Sequence, residues 1–317
     1  VGQYPVTNYL IRRIAQMIPT LIGVILLVFL LFTFFGGDPA EIIAGQNASA
    51  QQVDVIRQQL GLDKPWWIQL WIFFREVFTF DWGNSWATRE SVWHIFTTRV
   101  PATLTIMVPL FLLTLVLSVP LGLGVAYVRG SLTDRLTMMT TTVALSVSFL
   151  VYVIAGQWLF GFKLAWFPIQ GWTPSLWTNL VLYMPLPVLL AVLVSLAPQI
   201  RLYRSFFLDE IGQDYVRTAR AKGLAEGRVV FKHVLRNALI PILTDLSLQL
   251  PSLFVGSFLL EVFFSIPGIG REVLLAVNRS DYPVIQAATI YLAMFTMVVN
   301  LGTDVLYKLV DPRVVLK

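Results

Sequence analysis

The sequence predicts an all-α membrane protein with six transmembrane helices and one short polar helix outside the bilayer. Three observations carry this. Of 317 residues, 56% are hydrophobic and only 13% are charged, against roughly 25% charged in an average soluble domain; the mean hydropathy is +0.72. Six apolar stretches are each long enough for a hydrocarbon core of about 30 Å, which takes about 20 helical residues. Between the fourth and fifth, the stretch LDEIGQDYVRTARAKGL at 208–224 is polar and basic.

The six spans are expected at 14–35, 102–128, 136–160, 180–200, 239–263 and 284–309. Each should be a helix, because backbone groups in lipid must be paired within their own segment. This divides the chain into an N-terminal segment (1–13), a first span (14–35), an external loop (36–101), a five-helix core (102–310) holding a polar loop at 201–238, and a tail (311–317). No cleavable leader stands out, since the first apolar stretch is long enough to span and lacks a small-residue cleavage site. Six spans place both termini on one side. That side carries Arg12, Arg13, Arg129, Arg135, Arg201, Arg204, Arg217, Arg220, Lys222, Arg228, Lys232, Arg236, Lys308, Arg313 and Lys317, which is 15 of the 23 basic residues. By the positive-inside rule it is cytoplasmic.

In the polar stretch, Leu208, Ile211, Tyr215 and Ala219 are spaced three or four apart and share one helical face. Arg217, Arg220 and Lys222 fall largely off it. Gly223 follows, where a helix ends in a left-handed residue. Two readings remain open on amphipathicity alone: a docking helix that fits a groove on a soluble partner, or a solvated loop obeying the charge rule. Gly223 serves either as a tight turn that sets an angle or as an ordinary cap, and both need glycine. In the docking reading the apolar face supplies most of the energy, because burying one Leu or Ile is worth roughly 1.5–3 kcal/mol and a surface ion pair about 0–1 kcal/mol. Beyond the glycine, Val230, Phe231, Val234, Leu235 and Ala238 form a second apolar face leading into the fifth span.

The external loop should hold a short helix near 52–60 and an aromatic, interfacial one near 70–78. Trp66, Trp67, Trp71, Trp82, Trp86 and Trp93 suit the headgroup zone; the loop caps the outer mouth or only anchors the protein. Prolines recur in the second, fourth and fifth spans and suit helices that line a pathway. Ionisable groups within spans are few. Asp245 is expected near a helix N-terminus and Asp304 paired with Lys308. Absent cysteine removes disulfide chemistry, and His94 and His233 lie in different loops, so no metal site and no catalytic residue is expected. The chain has no phosphate-binding G-x-x-x-x-G-K-[ST] and no common hydrolase signature. Its net charge of +5 is explained by membrane orientation and needs no nucleic-acid partner.

Several motifs carry a resemblance. The run YVRTARAKGL at 215–224 resembles the cytoplasmic coupling loop of importer permeases of the ATP-binding cassette class, nearest to the dipeptide/oligopeptide/nickel branch. YLIRRIAQMIP at 9–19, GDPA at 37–40, GLDKP at 61–65, the Asp81, Gly83, Ser85 pattern and the loop FFSIPGIGREVLLAVNRSDYPV at 263–284 are similar to the same branch. Two departures stand out: Gly36 replaces the usual proline before GDPA, and Ser280 interrupts the Arg279, Asp281, Tyr282, Pro283 run.

The resemblance implies the type I importer permease fold and a role as the first of two permeases in a peptide-type importer. It implies ATPase coupling through Leu208, Ile211, Tyr215, Arg217, Ala219, Arg220, Ala221, Lys222, Gly223 and Leu224. The implied partners are a second homologous permease, two ATPase subunits and an extracytoplasmic substrate-binding protein, all at the bacterial inner membrane. No cofactor is implied on this chain; ATP and magnesium would belong to the ATPases. Peptide is the expected cargo, with nickel or another small solute as the alternative. An ion-gradient carrier would instead need an ionisable relay and inverted repeats. A membrane enzyme would need converging acid, base or metal ligands, and a channel would not need a docking helix.

Overall fold

The computed structural model describes residues 6–45 and 48–310, with side chains over 11–45 and 48–304. Among these, regular structure is helical apart from one isolated bridge between Asn84 and Ser91. Five stretches are long and apolar enough to cross a bilayer: Ile11–Phe35, Val92–Tyr127, Pro185–Ile211, Glu226–Phe263 and Tyr282–Asp304. The pair Leu132–Ser146 and Phe149–Lys163, counted as one span, supplies the sixth. Large apolar side chains such as Leu27, Phe34, Val116 and Met139 remain exposed, as lipid-facing positions should.

Three spans differ from their expected form. The third is bent by 89°, because Val147 and Ser148 take extended backbone with ψ of 131° and 140°. The Tyr152 hydroxyl donates to the Ala144 carbonyl across the bend at 3.0 Å. The fourth continues to Ile211, well into the expected 201–238 loop. The fifth is already helical from Glu226 and is broken after Gln249. Pro251 has no N–H to continue the ladder, and Gly256 is left-handed at φ 75° before Ser257 caps the next turn. The buried Glu261 accepts from Thr103 Oγ1 at 2.8 Å. A Cβ at Gly256 would collide with that carboxylate.

The chain divides into two compact units. One holds the described residues up to Pro101 together with Gly268–Asp304; the other holds Ala102–Pro267. Within the last helix, residues up to Asp304 fall in the first unit and residues 305–310 in the second. Within the first unit, Asp38 caps Pro39–Ala44 and is paired with Arg57, which joins that helix to Ala50–Gln59. Ser49 and Gln52 form a reciprocal capping box. Asp304 pairs with Arg13 at 3.0 Å; the side chain of its expected partner, Lys308, lies outside the described residues.

In the second unit, one core gathers Ile106, Leu186, Leu190, Leu260 and Phe264. Another gathers Leu123, Tyr203, Phe207, Val216, Val234 and Ile242. Asp134 receives Arg204 through two nitrogens, at 2.7 and 2.8 Å. Asp245 sits within Arg236–Gln249 rather than at a helix start. Its carboxylate accepts from Gln199 Nε2 (3.1 Å), the Tyr203 hydroxyl (3.0 Å) and Gln249 Nε2 (2.6 Å).

Candidate functional site

The expected single helix over 208–224 is two elements. Leu208 and Ile211 end the long Pro185–Ile211 helix. Gly212 and Gln213 interrupt it, and Asp214–Ala221 is a separate two-turn helix. The break resets the helical phase, so the face inferred from Leu208, Ile211, Tyr215 and Ala219 is not one surface. Val216, which sequence reasoning missed, is fully buried, and Ala219 is buried beside it. Both pack into the core that holds Phe207, Val229, Val234 and Ala238. Val216 and Ala219 thus turn into this chain's own core. Asp214, Tyr215, Arg217, Thr218, Ala221 and Lys222 remain exposed.

The helix ends in a Schellman turn. Gly223 is left-handed at φ 74°, and a Cβ there would meet nothing within 4 Å. Its N–H donates to the Arg220 carbonyl at 2.9 Å, and Leu224 N–H donates to the Ala219 carbonyl at 3.3 Å. Leu224 is half-buried against the core that contains Ala219, the apolar contact that accompanies this motif. Backbone conformation, not space, therefore selects glycine.

An ion pair braces one end and a side-chain hydrogen bond the other. Arg220 spans the turn to Glu226 at 2.6 Å, and these bonds raise the guanidinium further above its usual value. Tyr215 donates to Glu210 across the Gly212 break. Burial, together with the Glu210 bond, pushes its hydroxyl up to about 12, against an opposing bond with Asn237. Arg217 pairs weakly with Asp214 at 3.4 Å, both side chains being well exposed. Past the glycine, Val229–Leu235 is π-helical, a rare geometry that recurs at functional sites. Val234 is fully buried there, while Phe231 is 66% exposed, so the expected face of that stretch is split.

A second constellation joins two sequence motifs within the first unit. Asp281, 3% exposed, accepts from the Ser85 hydroxyl and from the backbone of Trp86 (3.0 Å) and Ala87 (3.4 Å). It therefore binds the Asp81, Gly83, Ser85 pattern to the run at 279–283. Ser280, which interrupts the family's run there, is left-handed at φ 53°. It closes Ile269–Asn278 with the same pair of bonds as Gly223 closes its helix: Ser280 to Val277 at 3.2 Å and Asp281 to Ala276 at 2.9 Å.

Residues 118–316 match the family described as binding-protein-dependent transport system inner membrane component. Residues 6–107 match the N-terminal component of such membrane proteins. The chain belongs to this family. It is 36% identical over 307 residues to the glutathione transport system permease protein GsiC of Salmonella typhimurium, covering 97% of this chain and 98% of that one. It is 35% identical over 313 residues to a putative peptide transport system permease of Brucella abortus (97% and 99%). It is 32% identical over 329 residues to the dipeptide transport system permease DppB of Alkalihalophilus pseudofirmus (96% and 98%). The protein is thus a multi-pass inner-membrane permease subunit of an ATP-binding cassette importer, with the type I importer permease fold, and works with ATPase and binding-protein partners.

Proposed function

We propose that this permease pairs with a second, homologous permease to import short peptides, and that residues 214–224 form its docking site for one of two ATPase subunits. The observation that carries the docking reading is the two-turn Asp214–Ala221 helix, held from behind by Val216 and Ala219 and closed by left-handed Gly223. Its geometry is set by this chain's own core, so a push on its exposed side is transmitted to the elements it packs against. Tyr215, Arg217, Ala221 and Lys222 would meet the ATPase, with the braced Arg220 beside them. Leu208, Ile211, Ala219 and Leu224 act from behind as supports. The basic residues of the same loop support a cytoplasmic location for it and for both termini. ATP and magnesium belong to the ATPase subunits, and this chain contributes no catalytic residue. Peptide as cargo rests on relatives whose names specify dipeptide, peptide and glutathione transport.

Copurification tests this. The tagged chain, extracted gently from its own membrane, should bring down a second permease and ATPases, and the reconstituted complex should take up labelled trialanine only with ATP. Gly223→Val should lose the ATPases while keeping the second permease. A chain that purifies alone and transports unaided, or a G223V complex that keeps its ATPases and its uptake, would overturn the reading.

A further inference from the structure

Between Arg236 and Glu261 the fifth span carries a single ionisable residue, Asp245. It stands at the midpoint of Glu226–Phe263. The helix from Arg236 to Asp245 rises about 14 Å, close to half of a hydrocarbon core of about 30 Å. A charge at that depth is costly, and such residues mark function by default.

The bonds to its carboxylate are one-sided. Gln199, Tyr203 and Gln249 all donate to Oδ2, and all three are uncharged. Among the described residues no ion pair reaches this carboxylate, and Oδ1 accepts from none of them. Asp245 is half-buried, and its Oδ1 is not enclosed in the way that the unpartnered Thr114 hydroxyl is. The three donors thus hold one oxygen and leave the other presented outward.

Two observations keep that oxygen away from lipid. An unpaired carboxylate within a span faces a bundle interior or a water-filled cavity. The same span leaves the helical conformation at Gly256, and irregular backbone at membrane depth is tolerated only within protein or beside water. Leu250 and Pro251 keep α-helical backbone, so Asp245, Gln249 and Ser252 follow at i, i+4 and i+7 along one stripe. Ser252 is exposed. A polar stripe therefore runs from mid-span toward the break.

A hard metal ion would require several oxygen ligands, which one free oxygen does not supply. An ammonium needs one strong acceptor. Peptides and glutathione, the cargoes in the relatives' names, carry a primary ammonium. The rise from Asp245 to Ser252 is about 10 Å, and three extended residues span about 10 Å.

We infer that Asp245 receives the ammonium of a peptide in transit, with the peptide lying along the stripe toward Ser252. The inference rests on the peptide reading of the cargo. It places a specificity-determining residue in the translocation pathway, apart from residues 214–224.

The chain has no cysteine, so Ser252→Cys places one thiol on the stripe. The test follows modification of that thiol on the tagged chain, within the assembled importer in nanodiscs of phosphatidylglycerol, a lipid without an amine. A trimethylammonium methanethiosulfonate should react about tenfold faster than a sulfonate one, each scaled to its rate with 2-mercaptoethanol, because a carboxylate in a low-dielectric site concentrates cations. Trialanine should slow the modification several-fold, and N-acetyl-trialanine should not. Asp245→Asn, at an unchanged melting temperature, should abolish the charge preference and the protection, and Asp245→Glu should restore most of both. The peptide and reagent comparisons need no carboxylate variant, so a D245N that fails to fold leaves the test intact. A thiol that neither reagent reaches, equal protection by the two peptides, or protection that survives in D245N would each overturn the site. A D245N importer that loses its second permease would assign Asp245 to a basic side chain of that subunit. Protection by trialanine that disappears in phosphatidylethanolamine discs would assign it to the lipid ammonium. Either result removes the peptide. ATP-driven uptake of trialanine separates the two readings. Uptake without protection removes the site and leaves peptide import standing. Protection by 2-phenylethylammonium, with neither protection by trialanine nor its uptake, removes the peptide as the occupant and as the cargo.

Discussion

Two helix-ending turns in this protein have the same hydrogen bonds and opposite chemistry. Asp214–Ala221 ends at Gly223 and Ile269–Asn278 ends at Ser280, each with a left-handed residue and the same pair of backbone bonds. At the first, glycine takes the conformation without strain, and the next residue, Leu224, adds only a half-buried apolar contact. At the second, serine occupies a region that disfavours a Cβ, and the next residue, Asp281, is buried and receives three donors from 85–87. The first turn is specified by its own residue. The second is imposed by its neighbour Asp281, whose long-range bonds outweigh a local preference of about 1–2 kcal/mol.

Removing the long-range bonds should have the largest effect. Asp281→Ala would leave a buried hydroxyl and two backbone N–H groups without their acceptor, at about 1–3 kcal/mol for each group left unsatisfied. We expect a loss of about 3 kcal/mol or more, read as a lower melting temperature in detergent and faster proteolysis within 84–90. A melting curve that matches wild type would mean that Ser280 needs no support from Asp281, and the contrast between the turns would fail.

The core behind the turn at Gly223 comes next. Val216→Ala removes two buried methyl groups and should cost about 1–2 kcal/mol. Arg217→Ala, on a side chain 74% exposed, should change stability by less than about 0.5 kcal/mol. If the order reversed, the apolar face would point outward as the sequence periodicity suggested. At the turn itself, Gly223→Ala should cost about 1 kcal/mol of stability, and its larger effect should be on ATP-driven uptake, since a relaxed turn would re-aim the helix.

A feature was legible in the sequence where its cause was local. Apolar length marked all six membrane-crossing stretches, and a glycine after Arg220–Lys222 marked the left-handed turn. The helix near 52–60 was also visible, because Val53, Ile56 and Leu60 recur on one face. The bend at Val147 and Ser148 was hidden, since neither proline nor glycine makes it. The break at Gly212 was hidden too. Its φ of −75° is ordinary for any residue, and overlooking it joined Leu208 and Ile211 to a face that the break interrupts. Asp281 finds its partners nearly 200 positions away, where spacing says nothing, although the shared family pattern had already singled out both segments.

The smallest effect is also the sharpest test of the contrast, because its sign is opposite. Ser280→Gly relieves the Cβ of its left-handed position, worth about 1–2 kcal/mol. It also frees the unfolded chain, which takes back about 0.4–1 kcal/mol. Ser280 makes only backbone bonds in this turn, to Val277 and Tyr282, so glycine keeps them. The net expectation is a gain of about 0.5 kcal/mol in the presence of Asp281. In the Asp281→Ala background the turn has lost its long-range support, so the strain at Ser280 weighs more on whether it forms. The gain from glycine should then be larger, and a double-mutant cycle reads the difference as coupling between adjacent residues. Equal gains in the two backgrounds would mean that Asp281 and the left-handed residue act independently. The turn at Ser280 would then hold itself, as the one at Gly223 does.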